Sequence, residues 1–150
     1  MIDVRPATES DLLRLIARDP ANEQFERNRY EAQQRGEALL LVAWDGDELR
    51  GRVRFRFFSK YVEVLDALGE FAEINALDAW PTGTGVGTRI IEECEKLAQA
   101  RGDKMIGIGV LVTNTAARRL YDRLGYEYWG DVIDDGEPAA YLVKGLLPKD

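Results

Sequence analysis

The segment Trp80–Thr88 reads WPTGTGVGT, and the helix-like run RIIEECEKLAQARG follows it immediately. Glycine loses more conformational freedom on folding than any other residue, so three closely spaced glycines before a helix need a physical reason. One reason is the close approach of a ligand to the backbone. The start of a helix offers unpaired N–H groups and the positive end of a dipole, and both favour a phosphate.

Two other glycine motifs fit this segment poorly. A Walker phosphate loop reads G-x-x-x-x-G-K-[ST], and the segment contains no lysine. A dinucleotide fingerprint reads G-x-G-x-x-G, whereas Gly83, Gly85 and Gly87 alternate here and Thr88 stands where the third glycine is expected. The loop alone leaves three interpretations open: an anion-binding helix start, a tight turn without a ligand and, as a minor alternative, a dinucleotide site.

The composition is that of an ordinary globular domain. The chain has 150 residues, of which 45% are hydrophobic and 31% charged, and its formal net charge is -7. The length predicts a single domain over residues 1–150. Because sequence-independent nucleic-acid binding requires basic clusters, the negative charge argues against a nucleic-acid partner and favours a cationic small substrate.

Cysteine and histidine usage narrows the chemistry. Cys94 is the only cysteine, so an internal disulfide is excluded, which is consistent with a reducing cytoplasm. The chain has no histidine, so histidine-based triads and H-E-x-x-H zinc sites are excluded. The start MIDVRPATESD has no apolar signal-peptide core, and no apolar run approaches ~18 residues. We expect a cytoplasmic protein without a membrane segment.

Hydrophobic periodicity and turn residues predict a mixed order of strands and helices. Strands are expected at Ile2–Arg5, Ala38–Trp44, Glu48–Phe58, Glu70–Ala79, Lys104–Val112, Tyr126–Trp129 and Ala140–Leu146. Helices are expected after a capping box at Thr8 and Asp11, from about Glu23 to Arg35, from the glycine loop to Arg101, and from Asn114 to Gly125. The order predicts a mixed sheet with helices on both faces.

Three finer expectations belong to this interpretation. Phe25 and Tyr30 are predicted to be the apolar contacts of the second helix. Asp45-Gly46 predicts a hairpin turn, and the segment Asp131–Pro138 is interpreted as an acidic turn. No element is assigned to residues 59–69.

A second motif follows the glycine loop. The segment Val112–Gly130 reads VTNTAARRLYDRLGYEYWG. Together the two motifs resemble those of the GNAT superfamily of acyl-CoA N-acyltransferases, R/Q-x-x-G-x-G/A at one helix start and N-x-x-A-x-x-x-Y-x-x-x-G-[FY] over the next helix. The positions of the second motif are all in place: Asn114, Ala117, Tyr121, Gly125 and Tyr126.

The resemblance implies a fold and a co-substrate. The fold would be an α/β domain whose mixed, mostly antiparallel sheet has a splayed central strand pair. Acetyl-CoA would be the co-substrate, with its pantetheine arm paired to the backbone of Leu77, Asp78 and Ala79. Its pyrophosphate would lie on the glycine loop and the first helical turn, at Thr82, Gly83, Thr84, Gly85, Val86, Gly87 and Thr88. On the next helix, Asn114 and Ala117 would contact the cofactor.

One position departs from the family pattern. Thr82 stands where the family usually has Arg or Gln, and the variable positions of the loop lack the frequent basic residues. The change removes a possible cation near the phosphates and implies weaker CoA affinity. It also leaves open an alternative function, a non-catalytic acyl-CoA-binding or regulatory domain of the same fold.

The implied reaction moves an acetyl group from CoA to a primary amine by direct attack. In the family the tyrosine at the position of Tyr121 lies near the sulfur and protonates the departing thiolate. Glu73 is our candidate for the base, because it shares a predicted strand face with Leu77, and Asn75 on that face is a candidate to hold a water. A backbone N–H near Leu77 would meet the oxyanion. The reaction requires no metal.

The acceptor is predicted from charge. The segment Asp131–Glu137 holds four acids and no base, and Glu63, Asp66 and Glu70 precede the central strand. In the family the corresponding regions border the acceptor entrance. We therefore expect a small-molecule or peptide amine, and a cationic one. Many relatives are homodimers, which makes a homodimer an expectation here as well.

Overall fold

The computed structural model describes residues 1–147, which contain seven strands and five α-helices. In chain order these are β1 (Ile2–Pro6), α1 (Glu9–Arg18), α2 (Glu23–Gln34), β2 (Ala38–Asp45), β3 (Glu48–Arg56), α3 (Val62–Leu68), β4 (Ala72–Ala79), α4 (Val86–Arg101), β5 (Met105–Leu111), α5 (Thr115–Arg123), β6 (Glu127–Asp134) and β7 (Glu137–Gly145). A 3₁₀ turn at Pro20–Asn22 separates α1 from α2.

The strands form one sheet in the order β1-β2-β3-β4-β5-β7-β6. The β1–β2, β2–β3, β5–β7 and β6–β7 ladders are antiparallel, and β4 pairs with β5 in parallel. The β4–β5 ladder covers three residue pairs, from Ala72↔Ile106 to Ile74↔Ile108. The predicted mixed, mostly antiparallel sheet is confirmed.

Two compact units divide the chain, and their boundaries fall within β4 and within α4. The first unit comprises Met1–Arg56 and Ala76–Glu93, and the second comprises Phe57–Asn75 and the described residues from Cys94 onward. One buried cluster in the first unit consists of Ala7, Leu15, Leu40, Val42 and Trp44. One in the second unit consists of Tyr61, Val64, Phe71, Val132, Ala139 and Tyr141. The single domain expected from the length stays a prediction.

Local sequence rules account for several boundaries. The hydroxyl of Thr8 accepts from the Asp11 N–H (3.1 Å), and the Asp11 carboxylate accepts from the Thr8 N–H (3.0 Å), so the capping box is confirmed. Gly36 follows α2 with a φ of 74°, the left-handed conformation that often ends a helix. The first hairpin is confirmed, with Gly46 and Asp47 as its turn residues.

Phe25 contradicts the prediction made for α2, because its side chain is 62% exposed. Tyr30 does pack against the buried cluster of the first unit. Residues five positions apart are separated by about 140° around a helix, so Phe25 and Tyr30 cannot share one face.

The prediction of a long acidic turn was also wrong. Strand β6 runs to Asp134, β7 starts at Glu137, and the turn contains only Asp135 and Gly136. Both turn residues have positive φ, 49° and 82°, as a tight Asp-Gly hairpin requires. Asp131 tolerates its strand position because it lies on the exposed side while Val132 is buried. Residues 62–68, to which the sequence assigned no element, form α3.

Candidate functional site

The glycine loop adopts backbone angles that favour glycine. Gly83 and Gly85 have φ values of 76° and 85°. A Cβ on either residue would meet no atom within 4 Å, so the backbone angle and not crowding accounts for these glycines. The Thr84 hydroxyl donates to the Pro81 carbonyl at 3.0 Å and closes the loop on itself. The loop from Pro81 to Gly85 is exposed, which leaves its backbone accessible to a ligand.

Helix α4 starts directly after this loop. The Arg89 N–H donates to the Gly85 carbonyl at 3.1 Å. N–H groups that precede such a first intrahelical bond have no partner within the helix. The N–H groups of Val86, Gly87 and Thr88 are therefore the donors that the helix start offers to an anion. Arg89 pairs with Glu93 at 3.1 Å.

Strand β4 is irregular immediately before the residues assigned to the pantetheine arm. Ala76 has a φ of 53°, which is unusual for a residue with a side chain. The alternation of side chains along β4 is interrupted there, so the direction of Glu73 does not determine that of Leu77. Leu77 and Ala79 are half-buried and Asp78 is exposed.

A buried ion pair contacts this irregular segment within the first unit. Arg52 on β3 donates through Nε to both carboxylate oxygens of Glu26, at 3.0 and 3.2 Å. Its Nη1 donates to the Ala76 carbonyl and lies 3.0 Å from the Asp78 carboxylate. Arg29 also binds Glu26, at 2.8 Å. Burial and the neighbouring Arg52 lower the pKa of Arg29.

Glu73 on β4 is fully buried in the second unit. Its Oε1 accepts from the backbone N–H of Lys60 (3.1 Å) and from Nδ2 of Asn75 (3.2 Å). Its Oε2 accepts from the Tyr141 hydroxyl at 2.8 Å. A carboxylate offers about four acceptor positions, so one remains for a further donor. Oδ1 of Asn75 is buried and lacks a hydrogen-bond partner among the described residues.

Two tyrosines surround this carboxylate, and two glycines of β5 make room for them. A Cβ on Gly107 would lie 2.1 Å from the Tyr141 hydroxyl, and one on Gly109 would lie 2.3 Å from the Tyr61 hydroxyl. The two rings meet edge to face, with centroids 5.6 Å apart. Burial raises the pKa of Tyr61 and Tyr141 above the ordinary value, and nearby carboxylates raise it further. Both phenols are therefore protonated at neutral pH, and that of Tyr141 donates to Glu73.

Helix α5 carries the second motif in the second unit. The Asn114 side chain accepts from the Ala117 N–H at 3.1 Å, so Asn114 is the N-cap of the helix that the sequence predicted to start there. Tyr121 is buried and packs edge to face against Tyr126, with centroids 5.8 Å apart. The Tyr126 hydroxyl donates to Glu95 at 2.8 Å. Gly125 has a φ of 94° after the last helical turn, as expected for a helix stop.

With this geometry in place, comparison with known proteins decides the family. The sequence model of the acetyltransferase (GNAT) family matches residues 9–126. The chain belongs to this family. No curated protein sequence matches the chain.

Solved structures share the GNAT fold with the chain. NAA60 of Arabidopsis thaliana, in complex with a bisubstrate analogue, is 20% identical with a TM-score of 0.75 and covers 99% of this chain and 100% of its own. The ribosomal-protein-S18-alanine N-acetyltransferase of Escherichia coli is 17% identical with a TM-score of 0.73, over 100% and 97% of the two chains. The acetyltransferase yncA of Salmonella typhimurium, with its cofactor acetyl-CoA, is 16% identical with a TM-score of 0.73. The match covers 100% of this chain and 96% of yncA.

The structure brings some of the predicted site residues together. Glu73 and Asn75 are hydrogen-bonded, as are Asn114 and Ala117. Leu77, Asp78 and Ala79 lie in the first unit with the whole glycine loop, Thr82–Thr88. The assignment of these residues, and of Tyr121, to GNAT catalysis and cofactor binding stays a prediction.

Sequence reasoning missed the partners of Glu73 and the role of Arg52. Tyr141 lies 68 positions from Glu73, and Arg52 lies 24 positions from Ala76. Local sequence spacing therefore predicts neither contact. The alternating glycines of β5 could have predicted such contacts, because glycine inside a strand indicates close approach of another group. Gly107 and Gly109 each admit a tyrosine.

A groove in the second unit combines apolar and acidic residues. Its cavity volume is about 620 Å³, and it is lined by Glu63, Val112, Asp131, Val132, Ile133, Pro138 and Ala139. Val112 and Ile133 are exposed apolar side chains. Asp134, another of the acids singled out in the sequence, is paired with Lys60. In residues 1–147, no helix is long and apolar enough to cross a membrane.

Proposed function

We propose that this GNAT-family chain transfers an acetyl group from acetyl-CoA to a primary amine. The main observation in support of the proposal is the loop before α4, in which the backbone of Gly83 and Gly85 has positive φ. An exposed backbone and three N–H groups without intrahelical partners suit the pyrophosphate of CoA. Backbone donors need no particular side chain, so Thr82 in place of Arg or Gln weakens the site without removing it.

The proposed assignments follow the family resemblance. The backbone of Leu77, Asp78 and Ala79 pairs with the pantetheine amides. Residues 82–88 hold the pyrophosphate, and Asn114 and Ala117 contact the cofactor arm. When acetyl-CoA is bound, it supplies the thioester carbonyl, and the N–H of Leu77 stabilises the oxyanion.

The chemistry requires the amine nitrogen to lose two protons and the departing sulfur to gain one. An amine with a pKa near ~10.4 is mostly protonated at neutral pH, and it attacks only after losing a proton. Glu73 accepts this proton through a water, for which Oδ1 of Asn75 is an available acceptor. As the new C–N bond forms and the C–S bond breaks, the electron pair passes to sulfur. The Tyr121 hydroxyl protonates the thiolate, and the second proton, which the nitrogen loses as the amide forms, restores the Tyr121 hydroxyl.

The acceptor is proposed to be a small-molecule or peptide amine with further positive charge. Glu63 and Asp131 line an otherwise apolar groove, which suits a cation attached to an apolar group. One similar structure is an N-acetyltransferase of a ribosomal protein alanine, which supports the peptide class. Equal turnover of charged and neutral amines would contradict the cationic preference.

Thermal unfolding with and without acetyl-CoA tests the proposal, with NAD and ATP as control ligands. A ligand present at about 100 times its Kd stabilises a protein by roughly 2.7 kcal/mol. For a chain of this size the expected rise in Tm is several degrees. A rise with acetyl-CoA alone supports the proposal and justifies a screen of amines. No rise at millimolar acetyl-CoA contradicts it.

A further inference from the structure

A buried arginine of β3, outside both motifs, is bonded to the strand that precedes the glycine loop. The Arg52 side chain is 5% exposed and its partner Glu26 is 4% exposed. Nε of Arg52 binds both oxygens of Glu26, while Nη1 binds the Ala76 carbonyl and the Asp78 carboxylate. One guanidinium thus joins α2 to two residues of β4.

Ala76 is the residue that needs such support. Its φ of 53° places an alanine in the left-handed region, which is unfavourable for L residues other than glycine. A conformation of this kind persists when the surrounding contacts hold it. The carbonyl of Ala76 belongs to the same peptide unit as the N–H of Leu77. A bond from Arg52 to that carbonyl therefore fixes the direction of that N–H.

The neighbouring residues of β3 fit closely against the rest of the segment. The Trp80 N–H donates to the Arg50 carbonyl at 2.7 Å. A Cβ on Gly51 would lie 2.6 Å from the Asp78 carbonyl, so glycine permits the close approach of the two backbones. Residues of β3 therefore contact Asp78 and Trp80, and Arg52 binds the irregular residue Ala76.

We infer that Arg52, oriented by Glu26, is a positioning residue that fixes the Ala76–Leu77 peptide for acyl-CoA binding. The inference rests on the proposed function, in which the Leu77 N–H meets the oxyanion. A buried ion pair is often replaceable by apolar residues without loss of stability, so stability alone does not explain this one. The geometry of the guanidinium explains the presence of this ion pair, because its separate nitrogens bind Glu26 and Ala76 at the same time.

The test compares Arg52→Met, Arg52→Lys and the control Arg54→Met. Arg54 lies on the same strand and is half-buried, and its Nε has no hydrogen-bond partner among the described residues. Lysine keeps the charge for Glu26, but its single nitrogen cannot reproduce the fork. Two readouts are measured on each folded variant, the Kd for acetyl-CoA and amide hydrogen exchange over Ala76–Trp80.

We expect Arg52→Met to weaken acetyl-CoA binding by about tenfold or more, which corresponds to the loss of a charged hydrogen bond. Exchange over Ala76–Trp80 should be faster than in wild type, and Arg54→Met should match wild type in both readouts. Should Arg52→Met fail to fold, Arg52→Lys gives the same comparison with the charge retained.

Wild-type affinity and exchange in both Arg52 variants would overturn the inference. If the wild-type protein itself does not bind acetyl-CoA, the proposed function fails, and the exchange measurement decides the positioning role alone. Faster exchange at Leu77 in the Arg52 variants than in Arg54→Met would then support that role. Equal exchange would overturn it.

Discussion

The hydroxyl of Tyr141 donates a 2.8 Å hydrogen bond to Oε2 of Glu73, and neither side chain has exposed surface. The carboxylate is the more costly of the two groups to bury, because a charge removed from water requires compensating donors. Tyr141 is one of three donors that it has, with the Lys60 N–H and the Asn75 amide. The pair connects β4 with β7 inside the second unit.

Tyr141→Phe removes one of these donors, together with the hydrogen bond between Ser59 and the Tyr141 hydroxyl. We expect it to lower the free energy of unfolding by about 1–3 kcal/mol, the cost of leaving a buried charged group with an unmade bond. Urea unfolding measures the change. Tyr128→Phe is the matched control, because Tyr128 also donates to a carboxylate (Asp131, 2.7 Å) but is 53% exposed. Equal losses in the two variants would show that burial of Glu73 is not the cause.

The buried tyrosines also predict how stability depends on pH. Burial, with nearby carboxylates, raises the pKa of Tyr61, Tyr126 and Tyr141 above 10.0. Below pH 10 each phenol is protonated in both states, and its contribution is fully present. Above that pH the unfolded chain releases the proton while the folded chain retains it, so stability falls by about 1.4 kcal/mol per pH unit for each tyrosine.

Urea unfolding between about pH 8 and pH 11 measures this slope. Tyr141→Phe should make the alkaline decline shallower by about 1.4 kcal/mol per pH unit, because one titrating phenol is gone. The decline in the variant would be as steep as in wild type if Tyr141 ionised equally in both states.

Gly107→Ala tests the space that β5 leaves for Tyr141. The added Cβ would lie 2.1 Å from the hydroxyl, so the ring or the strand must move. We expect a loss of about 1–3 kcal/mol in the free energy of unfolding, as is typical of an overpacked core. Gly130→Ala on β6 is the control, since a Cβ there meets nothing within 4 Å. A similar loss at Gly130 would point to a general effect of glycine in strands.

The sequence predicted what local rules govern. The Thr8–Asp11 capping box and the Asn114 N-cap follow from short spacings, and the structure forms both. The strand at Glu48–Phe58 was predicted from alternation, and Val53 and Phe55 are both buried on one face of β3. The long acidic turn was predicted from the number of acids in the segment, and the alternation of side chains was overlooked. Val132 is buried between two exposed neighbours, which is the pattern of a strand.

Contacts between distant elements lay beyond such rules. The ion pair of Glu26 and Arg52 joins a helix to a strand across 26 positions, a separation that no local pattern spans. Its bond to the Ala76 carbonyl depends on the positive φ of Ala76, and no residue type in β4 predicts that backbone conformation. The motif residues were found through the family resemblance, and their surroundings required the structure.

Tyr121→Phe separates an enzyme from a non-catalytic acyl-CoA-binding domain. If Tyr121 protonates the departing thiolate, kcat should fall by about a hundredfold or more while the Kd for acetyl-CoA stays nearly unchanged. Tyr126→Phe is the control, because Tyr126 packs against Tyr121 but its hydroxyl binds Glu95. Full turnover in Tyr121→Phe would contradict the assigned role, and absence of turnover in the wild type with every amine tested would favour the binding domain.

Gly85→Ala connects the glycine loop to the proposed co-substrate. Alanine in the left-handed conformation costs about 1–2 kcal/mol, and Gly85 has a φ of 85°. Gly46→Ala is the control, since Gly46 has a φ of 61° in the first hairpin and an equally uncrowded position. Both variants should lose stability by urea unfolding, because each places an alanine at positive φ. Calorimetric titration with acetyl-CoA should show weaker binding only for Gly85→Ala, because only that strain distorts the N–H groups at the start of α4. Equal affinities in the two variants would place the co-substrate elsewhere and reduce the glycine loop to a turn between β4 and α4.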